Sequence, residues 1–302
     1  MSKPDYARLV KSASLTAIIV AVILIAIKTV AWLMTGSASL LASLIDSFVD
    51  AAASAVNFFA LRWATKPADD DHRFGHGKAE ALAALLQGGF IAGSALLLAM
   101  HGIDRLLHPT IVQHLALGMG SMAIATLVTI GLVIYQSWVI KQTDSTAIRA
   151  DRLHYQSDVM MNLAILCSLA LTWYGWHAAD GIFALAIAAY MMFSVVSIIR
   201  HALDNLMDKE LSDDERQHVI NIVNNHPQTF GLHQLRTRKS AGTRFIQLHL
   251  ELDDDLTLAE SHAISDDIEA QIQALFDTVD VIIHQDPRSV VARNANAQEI
   301  RR

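Results

Sequence analysis

The sequence LLASLIDSFVDAAASAVNFFAL, at residues 40–61, determines how the rest of the chain is interpreted. It is apolar over enough residues to cross a bilayer, which takes about 20, but Asp46 and Asp50 lie near its middle. Ionisable side chains at that depth cost on the order of 2.5–3.5 kcal/mol each, so they usually face a protein interior or a water-filled site. The stretch therefore predicts a membrane helix with a functional polar face.

The composition also favours an integral membrane protein. The 302 residues are 53% hydrophobic and only 18% charged, and the mean hydropathy is +0.34. Apolar residues form long blocks as far as about residue 206, and the remainder resembles an ordinary soluble domain. This distribution predicts a membrane part followed by a soluble part.

Cysteine content and charge exclude several classes of site and partner. Cys167 is the only cysteine, so the chain has no intrachain disulfide and no thiolate cluster for a metal. A bound metal would need His, Asp or Glu ligands. The net charge is −7 and no basic patch is interleaved with aromatic residues, so we expect no nucleic-acid partner.

Six segments are long and apolar enough to form transmembrane helices in contact with membrane lipid, at residues 14–34, 40–61, 79–100, 115–140, 153–173 and 182–203. Lys and Arg are concentrated at the N-terminus, in the second and fourth loops and after the sixth segment. Because basic loops stay in the cytoplasm, both termini are predicted to be cytoplasmic. In the third segment, Gly89 and Gly93 have the spacing that lets helix backbones approach closely.

The soluble part predicts a small α+β domain. Ser212 and Glu215 form a capping box at the start of a helix, and two alternating strands, an amphipathic helix and a third strand follow. The fold class is therefore an α-helical membrane protein with six transmembrane helices and a cytoplasmic αββαβ domain. The predicted divisions are a transmembrane domain at 1–208, a cytoplasmic domain at 209–290 and a disordered tail at 291–302.

Two pairs of ionisable residues lie at matched depth in the membrane part. Asp46 and Asp50 share one face of the second helix, and His154 and Asp158 have the same i, i+4 spacing on the fifth. These helices run in opposite directions, so the pairs could converge and hold a divalent ion such as Zn²⁺. The alternative is that they only hydrogen-bond helices together, but two pairs at one depth favour a functional site.

Protons would compete with a metal for this site. Carboxylate and imidazole ligands must be deprotonated to bind metal, and an ordinary histidine titrates near cytoplasmic pH, with a pKa of ~6.5. A site that binds either metal or protons and opens to one side at a time is the minimum that an antiporter requires. The four residues therefore lead to the hypothesis of metal/proton exchange.

At these residues the chain resembles the cation diffusion facilitator family. The similar motifs are SLIDSFVD at 43–50, HRFGHGKAEAL at 72–82 and ADRLHYQSDVMMN at 150–162, together with the αββαβ domain. The resemblance implies a homodimer in a bacterial inner membrane, with the second and fifth helices forming the transport site and a metallochaperone-like cytoplasmic domain. It also implies Zn²⁺ efflux in exchange for H⁺ at Asp46, Asp50, His154 and Asp158. In the family, histidine at position 154 goes with zinc and cadmium rather than manganese.

A second candidate metal site lies in the cytoplasmic loop PADDDHRFGHGK, at 67–78. His72 and His76 are four residues apart, and the spacing alone does not choose among Asp69, Asp70 and Asp71. The family resemblance implies Asp69, His72 and His76. The alternative is a solvated polar loop without metal.

A third candidate site lies in the cytoplasmic domain. Strand alternation predicts that His249, His284 and Asp286 point away from the apolar face of the sheet, while His262 lies on the polar side of its helix and His233 opens the first strand. The resemblance implies two zinc ions held by these five residues, with Asp286 bridging. Zinc would then join the two cytoplasmic domains of a dimer.

The resemblance further implies an ion pair between protomers, formed by Lys78 and Asp208. These residues lie at the cytoplasmic ends of the third and sixth helices. Exposed ion pairs typically contribute only about 0–1 kcal/mol, so we expect a positioning contact.

Two other functional classes were weighed against a transporter. A membrane metalloenzyme is disfavoured because the chain has no HExxH or GxSxG motif, so we expect no enzyme activity. A membrane-bound metal sensor would bind zinc without carrying it, and a passive channel would not respond to protons. The ligand types do not rank Zn²⁺ against Cd²⁺ or Fe²⁺.

Overall fold

The computed structural model describes residues 3–35, 38–107, 116–173 and 178–291. Six long helices come first: α1 (Lys3–Thr35), α2 (Ala38–Ala64), α3 (Lys78–Leu107), α4 (Ala116–Thr143), α5 (Thr146–Trp173) and α6 (Ala179–Leu206). They are followed by α7 (Asp213–Asn225), β1 (Gly231–Ser240), β2 (Thr243–Leu252), α8 (Leu258–Leu275) and β3 (Val279–Pro287). The predicted fold class and the αββαβ order are confirmed. The predicted tail lies outside the described residues from 292 onward.

Five of the described helices are long and apolar enough to cross a membrane, namely α1, α2, α3, α4 and α6. The fifth predicted span is also a helix, α5, of 28 residues, but it is less apolar because its N-terminal half contains several charged residues and His154. It packs against α2, α3 and α4. A helix with polar groups is tolerated in a membrane where neighbouring helices surround it.

The chain divides into two compact units, with the boundary between Leu203 and Asp204. The helical unit contains a core cluster in which Tyr155 of α5 packs against Ala17 and Val20 of α1 and Leu132 of α4. The second unit has its own apolar core. The domain boundary predicted from the sequence, at 208 and 209, lies a few residues after this division.

Glycine allows close packing of α3 against α6, but not at the predicted positions. A Cβ at Gly88 would lie 2.9 Å from a side-chain atom of Ile199, and one at Gly181 would lie 2.8 Å from the carbonyl oxygen of Gly102. Gly89 and Gly93 have no neighbour within 4 Å of such an atom, so the prediction that they pack closely is wrong within the described residues of this chain. Both lie on the exposed side of α3, and Gly89 directly follows the buried Gly88 in the sequence.

A buried carboxylate fixes the start of α5. Glu80, in the first turn of α3, is 5% exposed and accepts hydrogen bonds from Ser145 Oγ at 2.6 Å and from the backbone N–H of Thr146 at 3.0 Å. The hydroxyl of Tyr6 on α1 donates to the same carboxylate. Because the first N–H groups of a helix have no partner within the helix, a carboxylate here stabilises the end of α5. It also joins α1 and α3 to the helix that carries His154.

The cytoplasmic unit is a three-stranded sheet in the order β1-β2-β3, with β1 antiparallel and β3 parallel to β2. Helices α7 and α8 pack on one face, where the apolar core of β2 meets that of α8. The buried core residues of these two elements are Ile246, Leu248, Leu250, Leu252, Ile264, Ile268 and Ile272. Capping boxes begin both helices, with Ser212 and Glu215 at α7 as predicted and Thr257 and Glu260 at α8. The opposite face of the sheet carries His249, Glu251 and His284, together with Phe245 and Ile282.

Candidate metal centres

Three groups of His and Asp side chains converge in the described part of the chain. In each group, the candidate ligand atoms lie within 4.8 Å of one another. The groups are Asp50, His154 and Asp158, then Asp69, His72 and His76, then His233, His249 and Asp286. The sequence analysis predicted all three groups. In the first and third groups, at least one predicted residue lies elsewhere in the structure, and in the second group the structure selects one of three candidate aspartates.

The first group joins α2 to α5 inside the helical unit. His154 Nε2 lies 3.0 Å from Asp50 Oδ1 and 3.8 Å from Asp158 Oδ2. The imidazole is only 15% exposed, and the carboxyl groups of Asp50 and Asp158 are 28% and 42% exposed. The i, i+4 spacing on α5 places His154 and Asp158 on one face, and Asp50 approaches from the facing helix. The name intramembrane group is used below for these three residues.

Asp46 was predicted as the fourth member, but the structure does not bring it into the intramembrane group. Its side chain is exposed and lies one turn nearer to the N-terminal end of α2 than Asp50. Helices α2 and α5 contact each other over only a short stretch, as expected for helices that cross at an angle. The turns of α2 at Asp50 and Ser54 therefore reach α5, and the preceding turn at Asp46 does not.

Lys28 of α1, which its position predicts to extend toward the outer end of that helix, also reaches α2 near this group. Its Nζ donates to Ser47 Oγ at 2.6 Å and to the carbonyl oxygen of Ser43 at 3.1 Å. Ser47 lies beside Asp46 in the chain. The ammonium group of Lys28 therefore contacts the helix that carries Asp46 and Asp50. A lysine within a membrane helix is the sequence signal that indicates such a contact.

A buried polar network lies beside the intramembrane group. Asp151 is fully buried, and Gln136 of α4 donates its Nε2–H to Asp151 Oδ2 at 2.6 Å. Ser54 Oγ of α2 lies 3.4 Å from Asp151 Oδ1 and 2.8 Å from the hydroxyl of Tyr155. The network therefore joins α2, α4 and α5 one turn beyond Asp50.

The second group lies in the loop between α2 and α3. Asp69 Oδ1 accepts the backbone N–H of His72 at 2.8 Å and lies 3.3 Å from the Nδ1 of the same residue, while Asp69 Oδ2 lies 3.3 Å from His76 Nε2. The hydrogen bond from the His72 backbone, with the nearby imidazoles, holds the pKa of Asp69 below its usual range. Its carboxylate is therefore ionised over the physiological pH range. Asp70 instead pairs with Arg73 at 2.8 Å.

The third group forms a row across the cytoplasmic sheet. His233 of β1 is paired with His249 of β2, which is paired in turn with His284 of β3. The carboxylate of Asp286 reaches the imidazoles of all three histidines, with Oδ2 at 3.4 Å from His233 Nε2 and 2.7 Å from His249 Nδ1 and Oδ1 at 3.3 Å from His284 Nε2. Alternation along the strands places these groups on the face opposite the apolar core.

His262 and Glu251 depart from the predicted composition of the third group. His262 lies on α8, where it pairs with Asp266 at 3.6 Å, and the structure does not bring it to the other histidines of this chain. The reason is that α8 covers the apolar face of the sheet, whereas the row of histidines is on the other face. Glu251 lies 3.1 Å from His233 Nδ1, and the sequence reasoning did not select it.

The predicted ion pair of Lys78 with Asp208 concerns two protomers, so a single chain does not test it. Within this chain, Asp208 Oδ1 lies 3.3 Å from a guanidinium nitrogen of Arg238. The pairing across protomers stays a prediction.

Comparison with known families decides the identity of the chain. The family model described as the cation efflux transmembrane domain matches residues 14–207, and the model described as the cation efflux protein, cytoplasmic domain, matches residues 211–288. The chain belongs to the cation diffusion facilitator family. The resemblance inferred from the motifs is thus confirmed.

Full-length relatives agree with this family membership. The cation-efflux pump FieF of Yersinia enterocolitica is 53% identical over 97% of this chain and 98% of its own length. The protein of the same name from Escherichia fergusonii is 50% identical over 98% of this chain and 99% of its own. This member of the cation diffusion facilitator family is therefore a multi-pass membrane transporter that exports metal cations, and the family is one of transporters rather than enzymes.

Solved structures resemble smaller parts of this family member. The structure of CzrB in its zinc form is 23% identical, and the match covers 27% of this chain and 94% of that chain, with a TM-score of 0.26. The metal-bound C-terminal domain of the CzcD transporter from Thermotoga maritima is 23% identical and covers 24% of this chain and 87% of that chain, with a TM-score of 0.24.

Proposed function

We propose that this transporter exports Zn²⁺ across a bacterial inner membrane in exchange for protons, with both termini in the cytoplasm. The observation that carries the proposal is the intramembrane group, in which one imidazole and two carboxylates from α2 and α5 meet inside the helical unit. Mixed nitrogen and oxygen ligands suit Zn²⁺ and related later metals better than Mg²⁺ or Ca²⁺. Cd²⁺ and Fe²⁺ are the alternative cargoes that the same ligands accept.

Zn²⁺ is commonly held by four ligands, and the intramembrane group supplies three. We assign the fourth to Asp46, one turn away on α2. A small rotation or shift of α2 against α5 would bring its carboxylate to the ion. Alternating access requires such movement, so the number of ligands would differ between the two ends of the transport cycle.

Proton exchange follows from the charge of the emptied group. Once the cation leaves, carboxylates at bilayer depth remain without a countercharge, which is costly in a medium of low dielectric constant. Protonation of the carboxylates and of His154 removes that cost, and metal binding expels the same protons. The empty protein would therefore return with protons in place of the metal.

We expect a pH gradient to drive zinc accumulation in liposomes that contain the purified protein. An interior more acidic by one pH unit supplies about 1.4 kcal/mol, or roughly tenfold in accumulated Zn²⁺, for each proton exchanged. Reversing the gradient should reduce uptake below the rate without a gradient. Zinc entering at one rate under all three conditions would remove proton exchange from the proposal while leaving transport.

A metal sensor is the second candidate function. The loop group, formed by Asp69, His72 and His76, and the cytoplasmic group, formed by His233, His249 and Asp286, lie outside the membrane helices, where they could bind a metal without any path for transport. The two candidates differ in flux. A sensor would bind Zn²⁺ at equilibrium, and the vesicles containing it would take up no more than protein-free vesicles.

We also propose that the cytoplasmic group binds Zn²⁺ and stabilises a homodimer. Its support is the position of the row of histidines on the uncovered face of the sheet, where Asp286 contacts three imidazoles and would bridge two ions. His262 would join from its exposed position on α8 only through the second protomer or a movement of α8. The Lys78–Asp208 pair between protomers belongs to the same proposal.

Asp286→Ala is expected to abolish the effect of zinc on dimerisation, because it removes the carboxylate common to the three imidazoles. The measurement is the dimer fraction of the full chain in detergent, by sedimentation with and without Zn²⁺, in an Asp50→Ala background that removes the intramembrane site. Zinc at 100 times its Kd would favour the bound form by about 2.7 kcal/mol. Asp280→Ala, on the same strand and outside the group, is the matched control. Equal zinc dependence in the two variants would contradict the assignment.

For the loop group, we propose a site that binds Zn²⁺ and assists its delivery or regulates export. His76 is largely buried, with a side chain only 4% exposed, and its Nδ1 has no hydrogen-bond partner among the described residues. Asp69 presents both carboxylate oxygens to the two imidazoles. A solvated loop without metal would have no need of this convergence.

A further inference from the structure

The polar face of α2 continues past the intramembrane group. Ser54 and Asn57 follow Asp50 by four and seven residues, and residues at these spacings share one face of a helix. At 1.5 Å per residue, Asn57 lies about 10 Å from Asp50 along the axis, toward the C-terminal end of α2. The proposed orientation makes this the cytoplasmic end. Polar residues thus continue along the face of α2 that carries Asp50, between the intramembrane group and the cytoplasm.

Asn57 is buried, and the part of the chain that the structure describes offers its amide no hydrogen-bond partner. Its side chain is 2% exposed, and neither Nδ2 nor Oδ1 has a partner among the described residues. Most buried polar groups in proteins are paired, and leaving one unpaired costs about 1–3 kcal/mol. The amide is therefore a destabilising feature of this conformation, which calls for a function in another conformation.

One oxygen-bearing side chain lies near Asn57 on α2, and a second lies next to the first. Ser54 is one turn away on the same face of α2, a spacing at which Cβ atoms are about 5–6 Å apart. Its Oγ is 3.4 Å from Asp151 Oδ1, and Asp151 is fully buried on α5, three residues before His154. A carboxylate and a hydroxyl thus lie together one turn beyond Asp50, and the Asn57 amide follows the hydroxyl by three residues on the same face of α2.

We infer that Asn57, Ser54 and Asp151 form a second subsite, with oxygen ligands only, for the transported divalent cation on its way between the cytoplasm and the intramembrane group. This inference rests on the proposed transport function. Oxygen ligands hold a divalent ion that keeps part of its water shell, and the absence of an imidazole makes the subsite weaker for Zn²⁺ than the intramembrane group. Rapid passage requires binding that is favourable enough for the ion to enter and weak enough for it to leave.

The unpartnered amide also explains how the subsite is used. In this conformation the Asn57 amide is shielded from solvent and has lost its hydration without a hydrogen bond from the described residues, which is unfavourable. A conformation that opens the cytoplasmic side would let water or the hydrated ion reach Oδ1 and remove that cost. Asn57 therefore favours the open conformation and offers a ligand to the ion when it opens.

Asn57→Leu separates this inference from a structural role. Leucine has a similar size and no polar atoms, and replacing an unpaired buried amide by an apolar group should leave the melting temperature unchanged or raise it. We expect the maximal rate of Zn²⁺ uptake by liposomes with the full chain to fall about tenfold. The number of ions bound at equilibrium and the Kd of the intramembrane group should stay within about twofold of wild type.

The control and the second variants use the same assays with Zn²⁺ alone as the probe. Thr129→Val removes a buried hydroxyl whose hydrogen bond among the described residues is to Ala125 O of its own helix, and it should transport like wild type. Asn57→Ser keeps an oxygen and should retain a rate well above that of Asn57→Leu. Asp151→Asn keeps the shape and removes the charge, so it should slow uptake without loss of a bound ion.

The outcomes distinguish this inference from the proposed function. If Asn57→Leu takes up Zn²⁺ at the wild-type rate, the subsite is overturned and the transport function stands. A Kd of the intramembrane group weakened well beyond twofold in Asn57→Leu would also overturn the subsite, because Asn57 would then belong to that group. Zinc binding without any wild-type uptake would refute the transport function itself.

Discussion

Asp50→Ala should abolish zinc export, with an initial rate at least about 100-fold below wild type in liposomes. Asp50 is the one α2 carboxylate that reaches the imidazole of His154, at 3.0 Å in the described part of the chain. Without it, no α2 carboxylate reaches the intramembrane group in this conformation. Loss of a residue that only orients a ligand already costs about 10–100-fold in metal sites, so loss of the ligand itself should cost more.

Asp46 and Asp70 provide graded controls for this experiment. Asp46→Ala should reduce the rate less than Asp50→Ala does, because Asp46 lies outside the group and joins it only after α2 moves. Asp70→Ala should have no effect, since Asp70 is exposed and pairs with Arg73 at the surface. Efflux that survives Asp50→Ala, or a greater loss from Asp46→Ala, would show that the ion is held elsewhere on α2.

Glu80→Ala should destabilise the helical unit strongly. The substitution leaves the hydroxyls of Tyr6 and Ser145 and the N–H of Thr146 without their acceptor. Each buried unpaired donor costs about 1–3 kcal/mol, and we expect a total on the order of 3 kcal/mol after relaxation and hydration. For a unit of this size, that corresponds to a melting temperature lowered by roughly 6–12 °C. The measurement is thermal unfolding of the full chain in detergent.

Glu80→Gln is the matched comparison, because it keeps a carbonyl acceptor and removes the charge. It should retain more than half of the stability that Glu80→Ala loses. Glu215→Ala removes a carboxylate of the cytoplasmic unit and serves as a second control. That change should leave the unfolding of the helical unit unaltered. Equal melting temperatures for wild type and Glu80→Ala would mean that the start of α5 does not depend on this carboxylate.

Features set by local periodicity could be predicted from the sequence. The spacing of His154 and Asp158 places both on one face of α5, and alternation along β2 separates His249 from the core residues. The capping box of Ser212 and Glu215 marks the start of α7, because it depends only on residues three apart in the sequence. Each of these depends on the geometry of a single element.

Features that depend on how two elements meet could not be predicted in this way. Whether Asp46 or Asp50 contacts α5 depends on the crossing of two helices, and the spacing treats both residues alike. The carboxylate of the loop group is selected by a backbone N–H at His72, which the DDD sequence does not reveal. On α3, Gly88 packs closely and Gly89 does not, since the buried face is set by the contact with α6.

The parallel pairing of β2 with β3 has a consequence for biosynthesis. His233 and His249 are neighbours as soon as the first two strands form a hairpin, but Asp286 reaches them only after the chain has passed through α8 and returned beside β2. Non-local pairing of this kind forms late in folding. A nascent chain at the ribosome therefore holds an incomplete set of ligands, and a tight zinc complex can mature there only once the last strand has docked.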